Sequence, residues 1–395
     1  MDGTTYPARS VQTLHKGRPL WVRYDLEQVK ANVDRDKLVT RKNDLWRYRE
    51  LLPLEDDVNR VSLGEGMTAL LNCPKLAAEF GIAKLWVKDE SQLPTGSFKA
   101  RGMALAVSMA KELGLRRLAV PTAGNAGGAM AAYAARGGLE AYVFMPADTP
   151  VVNRYEATLF GAKAFVANGL IHECAAIVAQ GMERMEWFDF STLKEPYRIE
   201  GKKTMGLELA EQMNWSLPDR ILYPTGGGTG LIGMSKAFAE LETLGWLEGD
   251  RRPRLVSCQS SSCSPIAAAF DAGERFAETP TDPHTVASGI RVPKAVGDFM
   301  ILDAVRASGG RAAHADESKL LDWMRIACKL EGISLCPEAA ICLGVLERGL
   351  REGWIDENEE VVLFNTGAVQ KNLECIEMAL PALDLQNIDW DLISN

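Results

Sequence analysis

The feature that most constrains the fold of this 395-residue chain is an alternation of short apolar runs with amphipathic stretches. In a first series the apolar runs lie at 117–121, 140–145, 162–166 and 187–190. In a second series they lie at 220–223, 254–259 and 360–364. The intervening stretches have helical periodicity, and strands that alternate with helices form parallel sheets flanked by helices. The sequence therefore predicts an α/β protein with two such units.

Charge and length exclude several classes of function. The formal net charge is −9, from 44 Lys and Arg against 53 Asp and Glu, and no basic run offers a footprint for nucleic acid. No stretch approaches the roughly 18 apolar residues of a membrane-spanning helix. Residues 1–10 lack the basic and apolar regions of a signal peptide, so we expect a cytoplasmic protein without nucleic-acid or membrane partners.

Cysteine and histidine spacing gives no sign of a metal site. Among eight cysteines no pair has C-x-x-C spacing, and the four histidines are isolated from one another, so we expect no metal centre of this type. Residues 1–60 have weak strand signals and many charges, and we expect a surface extension there. The proline-containing stretch 279–297 is expected to form a loop beside a site.

Three polar, glycine-containing segments lie where a parallel α/β sheet places its ligands, at 93–102, 121–128 and 223–230. In the third, the run from Gly226 to Gly228 precedes a helix predicted to open at Thr229. Glycine lets backbone N–H groups approach an anion closely, and a helix N-terminus adds a positive dipole end. This segment favours an anion cradle, whereas a tight packing turn is the alternative.

Two nucleotide-binding patterns compete for the same glycines. The chain has no G-x-x-x-x-G-K-[ST], which excludes a nucleoside-triphosphate P-loop. The pattern G-x-G-x-x-G is satisfied at Gly228, Gly230 and Gly233. The next strand, however, ends in Gln259-Ser260 rather than in the acidic residue that holds a ribose hydroxyl, so a dinucleotide site is disfavoured but stays open.

Lys99 is the second chemical clue, because it opens an apolar helix predicted through residue 113. A cation at a helix N-terminus is disfavoured by the dipole. A neutral lysine suits the position, and so does one consumed in a Schiff base, since burial and a positive environment both lower its pKa. A solvated surface lysine is the alternative. Together with a phosphate cradle, Lys99 indicates pyridoxal 5'-phosphate as cofactor.

Six motifs carry a family resemblance. In chain order they are Pro-Thr-Gly-Ser-Phe-Lys99, Ala-Gly-Asn125, Arg198-Ile-Glu-Gly-Lys-Lys-Thr204, Gly226-Gly-Gly-Thr-Gly230, Ala287-Ser-Gly-Ile-Arg-Val-Pro293 and Asn365-Thr-Gly-Ala368. The set resembles the threonine synthases, within the fold-type II (tryptophan synthase β-like) pyridoxal phosphate enzymes. The resemblance implies a two-domain α/β fold in which each domain is a mostly parallel sheet flanked by helices. Residues 1–100 and 205–395 would form a large cofactor-binding domain, and residues 101–204 a small mobile substrate domain.

The resemblance also implies roles for the cofactor site. Lys99 would form the imine with the cofactor and act as the mobile acid and base. Asn125 would hydrogen-bond the cofactor's phenolic oxygen, and Thr366 would present a hydroxyl to the pyridine nitrogen, which makes the ring a weaker electron sink than a carboxylate would. The cofactor phosphate would be bound by Gly226, Gly227, Gly228, Thr229 and Gly230.

For the substrate, the resemblance implies O-phosphohomoserine and water as reactants, with threonine and phosphate as products. Thr122, Ala123 and Gly124 would hold the substrate carboxylate. Arg198 would bind the substrate phosphate with Lys202 beside it, since arginine suits bidentate phosphate contacts. A homodimer is expected on the same resemblance.

Two departures from the family leave the substrate open. Ala100 stands where threonine synthases commonly have aspartate, and Ala126 stands where a threonine often follows the asparagine. The alternative is therefore a threonine or serine ammonia-lyase, or a β-replacing synthase acting on an O-phospho amino acid, with the same cofactor apparatus. A non-catalytic or nucleotide-binding α/β protein is the alternative from another class.

Overall fold

The computed structural model describes residues 3–376, 380–388 and 390–394. The strands are β1 Leu14–His15, β2 Arg18–Pro19, β3 Leu70–Asn72, β4 Lys84–Asp89, β5 Arg117–Pro121, β6 Glu140–Pro146, β7 Lys163–Ala167, β8 Phe188–Asp189, β9 Arg220–Pro224, β10 Arg254–Ser260, β11 Arg311–Ala315 and β12 Glu360–Asn365. The α-helices are α1 Leu26–Asn32, α2 Pro74–Phe80, α3 Lys99–Glu112, α4 Ala126–Gly137, α5 Val151–Leu159, α6 Ile171–Met185, α7 Tyr197–Gln212, α8 Thr229–Leu244, α9 Pro265–Asp271, α10 Asp298–Ala307, α11 Leu320–Glu331, α12 Pro337–Arg351 and α13 Trp390–Ser394. Short 3-10 helices occupy Arg35–Thr40, Leu45–Leu51, Asp57–Asn59, Glu90–Gln92, Ser288–Ile290, Glu317–Lys319 and Val369–Cys375.

Two sheets organise the chain. The larger has the strand order β11-β10-β9-β12-β4-β3 and is parallel except for β3, which pairs antiparallel with β4. The smaller has the order β7-β6-β5-β8 and is parallel throughout. Strands β1 and β2 form a separate two-stranded antiparallel pair. The predicted α/β architecture with two mostly parallel sheets is confirmed, whereas the assignment of 101–204 as the mobile part stays a prediction.

The strands that the apolar runs predicted are present within one or two residues of their expected ends. No apolar run predicts β3, β4 or β11, and the helix that the sequence predicts near 202–213 begins earlier, at Tyr197. Helix α7 is buried along nearly its whole length and packs between α3 and α8, so it lacks the polar face that marks an amphipathic helix. A helix covered on all sides has no clear 3.6-residue period in its sequence.

Residues 38–54 correct the expectation that residues 1–60 form a surface extension. Trp46 is buried in the core under the smaller sheet, and Leu38 and Tyr48 are buried in the core under the larger one. These residues belong to 3-10 helices, whose three-residue turns give neither the period of a strand nor that of an α-helix. The segment therefore joins the two cores.

The carboxyl ends of the strands meet the three glycine-containing segments. Ser97 bridges to Gly367 just after β12, which brings the turn before Lys99 beside the end of that strand. The stretch 279–297 lies against the loop after β9, since a Cβ added to Gly226 would lie 2.9 Å from the Gly289 carbonyl oxygen.

In the described part of the chain, no helix has the length and apolar character that crossing a membrane requires.

Candidate active site

Lys99 is the first residue of α3 and lies between the two sheets. Its Nζ lies 3.9 Å from the centre of the Phe98 ring, and no described residue accepts a hydrogen bond from it. Burial and the nearby Arg198 lower the pKa of Lys99 to about 7, against the smaller opposing effect of Glu338. A substantial fraction of this amine is therefore neutral near pH 7, as a nucleophile toward an aldehyde must be.

The loop after β9 presents free backbone N–H groups. Among the described residues, none accepts a hydrogen bond from the N–H of Gly226, Gly227 or Gly228. The same loop ends at the N-terminus of α8, where Gly228 has φ +70°. Three unpaired amides and a helix dipole at one point make a site for a phosphate or another anion.

Glycine is required at two positions of this loop for different reasons. A Cβ on Gly228 would overlap the side chain of Ile301, and its positive φ disfavours any L side chain. A Cβ on Gly230 would overlap the Tyr223 hydroxyl, which is buried and has no partner among the described residues. The loop is therefore shaped around its glycines.

Asn125 caps α4 and faces the turn that carries Lys99. Its Nδ2 lies 3.6 Å from the position of a Cβ built on Gly367, and its Oδ1 is buried without a hydrogen-bond partner in the described chain. Just before it, Thr122 Oγ1 accepts a hydrogen bond from Gly124 N at 3.1 Å and so fixes the loop. The N–H of Ala123 finds no described acceptor, so the start of α4 is a second point for an anion.

Thr366 directly follows β12 and is nearly fully buried. Its hydroxyl contacts the Cys336 thiol with an Oγ1–Sγ distance of 3.8 Å, and Phe98 N donates to its carbonyl oxygen at 3.0 Å. Burial raises the pKa of the Cys336 thiol beyond its usual range, so the thiol stays protonated and able to donate. The hydroxyl is thus held at the end of the strand beside the Lys99 turn.

Two cations of α7 are buried close to Lys99. Nη1 of Arg198 donates to the carbonyl oxygen of Phe190 at 2.8 Å, and its Nε has no hydrogen-bond acceptor in the described chain. Nζ of Lys202 donates to Thr229 Oγ1, at the first residue of α8. Burial, Arg198 and Lys99 together lower the pKa of Lys202 well below its ordinary value. A buried guanidinium with an unpaired Nε, beside two amines whose charged forms are disfavoured, calls for an anion.

The residues predicted from the sequence thus come together from distant parts of the chain. Three further side chains lie near Lys99 or Arg198 and were not predicted from the sequence: Glu195, Glu338 and Cys336. Glu195 lies three residues before Arg198, a spacing that suggests contact on a helix, but it precedes α7. Cys336 and Glu338 flank a proline at the start of α12, and only the packing of α12 on the large sheet brings them to Lys99.

Comparison with known proteins agrees with this geometry. Residues 61–367 match the family described as pyridoxal-phosphate dependent enzymes. The threonine synthase of Methanocaldococcus jannaschii is 34% identical over 92% of this chain and 90% of its own length. The threonine synthase of Methanosarcina acetivorans is 34% identical over 89% of this chain and 86% of its own length. A processed threonine deaminase isoform from Solanum lycopersicum shares the fold, with a TM-score of 0.66, 16% identity and coverage of 98% and 97%.

The chain belongs to the family of pyridoxal-phosphate dependent enzymes, and within it to the threonine synthases. The residues present fit the cofactor. The site holds a partly neutral, half-buried lysine and a loop of unpaired amides in which Gly228 and Gly230 leave no space for a Cβ. Asn125, with an orphaned buried oxygen, lies beside the turn that follows the buried Thr366.

Proposed function

We propose that this chain converts O-phosphohomoserine and water to L-threonine and phosphate, by γ-elimination of phosphate followed by β-addition of water. The observation that carries the proposal is Arg198. It is a buried guanidinium beside Lys99, additional to the glycine loop after β9, and its Nε is unpaired among the described residues. A substrate with a phosphate of its own requires such a second anion site.

Each polar group of the site has a task toward the cofactor. The amides of Gly226 to Gly228 would bind its phosphate at the start of α8, where Lys202 Nζ donates to Thr229 Oγ1. Asn125 and Thr366 would hold the ring from two sides. Bound there, pyridoxal phosphate would supply the electron-withdrawing ring that acidifies the bond between substrate Cα and hydrogen.

Lys99 would move the protons. Its neutral Nζ takes the proton from substrate Cα and transfers protons at Cβ and Cγ, so that phosphate leaves from Cγ and water adds at Cβ. The unpaired amide of Ala123 would bind the substrate carboxylate at the start of α4, in a loop held by the hydrogen bond from Gly124 N to Thr122 Oγ1. Arg198 would hold the phosphate through departure, where charge on the leaving group is greatest.

We further propose that residues 101–204 form a substrate domain that moves against the remainder, and that the protein acts as a homodimer in the cytoplasm. Free cysteines, most of them buried, are consistent with a reducing compartment. The exposed apolar side chains Phe165 and Val166 on the edge strand β7 offer one surface on which copies could associate.

A substrate panel tests the reaction. Purified holoenzyme would be incubated separately with O-phosphohomoserine, threonine, serine and O-phosphoserine, and the products separated by chromatography. We expect threonine and phosphate in equal amounts from O-phosphohomoserine. Pyruvate or 2-oxobutyrate as the dominant product of the panel would show an ammonia-lyase and refute the proposal.

A pair of variants tests the role of Arg198 in that reaction. Arg198→Lys keeps the charge but loses the planar fork, so we expect KM for O-phosphohomoserine to rise at least about tenfold while the cofactor absorbance stays. Asp303→Asn, at an exposed ion pair with Arg275, is the control. An unchanged KM in Arg198→Lys would remove Arg198 from the substrate site.

A further inference from the structure

Glu195 and Arg198 face each other at the start of α7, and each has one unpaired atom. Oε2 of Glu195 accepts hydrogen bonds from the N–H of Tyr197 at 2.7 Å and of Arg198 at 3.0 Å. Oε1 lies 3.9 Å from Arg198 Nε, which is too long for a hydrogen bond. Neither Oε1 nor Nε has a partner among the described residues, although both side chains are almost completely buried.

The unpaired Oε1 of Glu195 and Nε of Arg198 indicate a position where the charge of the carboxylate can change. A buried acceptor and a buried donor normally find partners, because each costs about 1–3 kcal/mol when left unpaired. Here Oε2 is used up by the cap of α7, so Oε1 can either approach Nε or carry a proton of its own. Arg198 is held on its other side by the carbonyl oxygen of Phe190.

We propose that Glu195 takes up a proton from solvent when a phosphate group binds at Arg198, so that anion binding at this site is coupled to protonation of one carboxylate. The proposal rests on the proposed function, in which Arg198 receives the substrate phosphate. It assigns Glu195 a positioning role. The proton removes a negative charge beside the anion, so the guanidinium of Arg198 binds the phosphate without competition from a carboxylate.

The surrounding charges give the sign of the coupling. Arg198 and Lys202 face Glu195 from α7 and favour its charged form, whereas burial favours the neutral form, and the balance raises the pKa of Glu195 to about 7. A bound dianion would neutralise the charge of Arg198 and add repulsion of its own, so the pKa of Glu195 must rise further. The other titratable groups nearby are Tyr197, which faces Glu195, and Asp189, which faces Arg198 from β8.

The coupling makes anion affinity depend on pH. Below a pH of about 7 most Glu195 is already protonated in the free protein, so binding takes up little proton. Above about 7 each binding event must bring a proton, and affinity falls by up to about tenfold per pH unit until the pKa of the bound state is passed. Release of phosphate after turnover returns the proton to solvent.

Sulfate is the probe that tests this, because it is a tetrahedral dianion that does not itself titrate near neutral pH. Holoenzyme would be titrated with sodium sulfate by calorimetry between about pH 7 and 8, in pairs of buffers with different ionisation enthalpies. For the unmodified protein we expect uptake that approaches one proton per sulfate, and affinity that weakens as pH rises. In Glu195→Gln, which keeps an oxygen for the cap of α7, uptake falls to near zero and affinity no longer depends on pH.

Lys202→Gln separates the carboxylate from the other buried group that could gain a proton. Because the carrier is Glu195, this variant is expected to retain uptake. Absence of uptake in the unmodified protein, absence of sulfate binding, or uptake that persists in Glu195→Gln would each overturn the proposal. The first two results are obtained with the unmodified protein, so the proposal can be refuted even if Glu195→Gln does not fold. Threonine formed from O-phosphohomoserine without this coupling would leave the proposed function intact.

Discussion

At the scale of single residues, the chemistry depends on what surrounds Lys99. The sequence placed this lysine at a helix N-terminus, where the dipole already disfavours a cation. The structure adds burial and the positive charge of Arg198, and both lower its pKa in the same direction. Lys99 therefore reaches a reactive state near neutral pH from its environment, without a dedicated base bonded to its Nζ in the described chain.

The lowered pKa predicts how the cofactor-free protein takes up its cofactor. The neutral amine attacks the aldehyde, so the rate of reconstitution with pyridoxal phosphate should rise with pH and level off just above about 7. Stopped-flow absorbance across a pH series measures it. An exposed lysine would keep accelerating toward pH 10, and such a profile would contradict the assigned environment. Lys99→Ala should show no such phase.

The local sequence identifies some residues of the site and not others. Lys99 and Asn125 could be singled out because each stands next to glycines at the start of a helix, which is a local pattern. Cys336, which contacts Thr366, and Glu195 could not, because their significance depends on which buried atoms lie near them. A hydrogen bond between residues thirty positions apart leaves no local pattern in a single sequence.

At the scale of elements, the sequence predicts a glycine turn that opens a helix at Thr229, and the structure confirms this for the loop between β9 and α8. The structure shows why the turn tolerates little change: it is closed in by Ile301 on one side and by the 289–292 segment on another. A loop that must expose its amides to an anion cannot also accommodate side chains.

Gly228→Ala should therefore be costly. Strain at φ +70° contributes about 1–2 kcal/mol and overlap with Ile301 about 1–3 kcal/mol more, and cofactor affinity should fall with them. Denaturant unfolding and cofactor titration measure the two effects. Gly249→Ala is the matched control, because its φ is +69° but a Cβ there meets nothing within 4 Å. Equal losses in both variants would contradict the packing argument.

A second feature at this scale joins α3, α7 and β4. Arg101 Nε lies 2.6 Å from Glu90 Oε2, and its Nη1 lies 2.8 Å from Glu208 Oε2. Lys88 forms an ion pair with the same Glu208, and all four side chains are fully buried. The two cations hold the pKa of Glu208 below its usual range, against the effect of burial. Two charges of each sign compensate one another within this cluster.

Removing one member should be strongly destabilising. Glu208→Ala leaves Arg101 and Lys88 with only one carboxylate, and we expect a loss of about 3–5 kcal/mol in the free energy of unfolding. Chemical denaturation measures it. Asp303→Asn removes a carboxylate from the exposed pair with Arg275, where solvent screens the charges, so its loss should be far smaller. Comparable losses in the two variants would show that burial of the cluster does not determine its contribution to the free energy of unfolding.

At the scale of the whole molecule, two ion pairs join segments next to the large sheet with segments next to the small sheet. Lys371, after β12, contacts Glu156 on α5 with an Nζ–Oε2 distance of 2.6 Å. Arg291, in the loop beside the glycine turn, contacts Asp148 with an Nη2–Oδ2 distance of 2.7 Å. The first pair is largely buried and the second half-exposed, so the first should contribute more to holding the two parts together.

A charge swap tests that contribution. Lys371→Glu alone places two carboxylates against each other, and we expect raised KM for O-phosphohomoserine and faster amide hydrogen exchange in α5. The double variant Lys371→Glu with Glu156→Lys should recover much of both, with a coupling free energy of about 0.5–3 kcal/mol. Absence of rescue would mean that the Lys371–Glu156 ion pair does not hold α5 against the segment after β12.

The sequence by itself determined the class of fold, because strand and helix periods are local properties of apolar spacing. It also determined the identity of the lysine and the glycine loop, which are contiguous motifs. Only the tertiary structure decided that residues 38–54 enter both cores, that α7 is buried along nearly its whole length, and that Oε1 of Glu195 is unpaired beside Arg198. Burial and the pKa shifts that follow from it depend on every element packed around a group, and no segment of the chain records them alone.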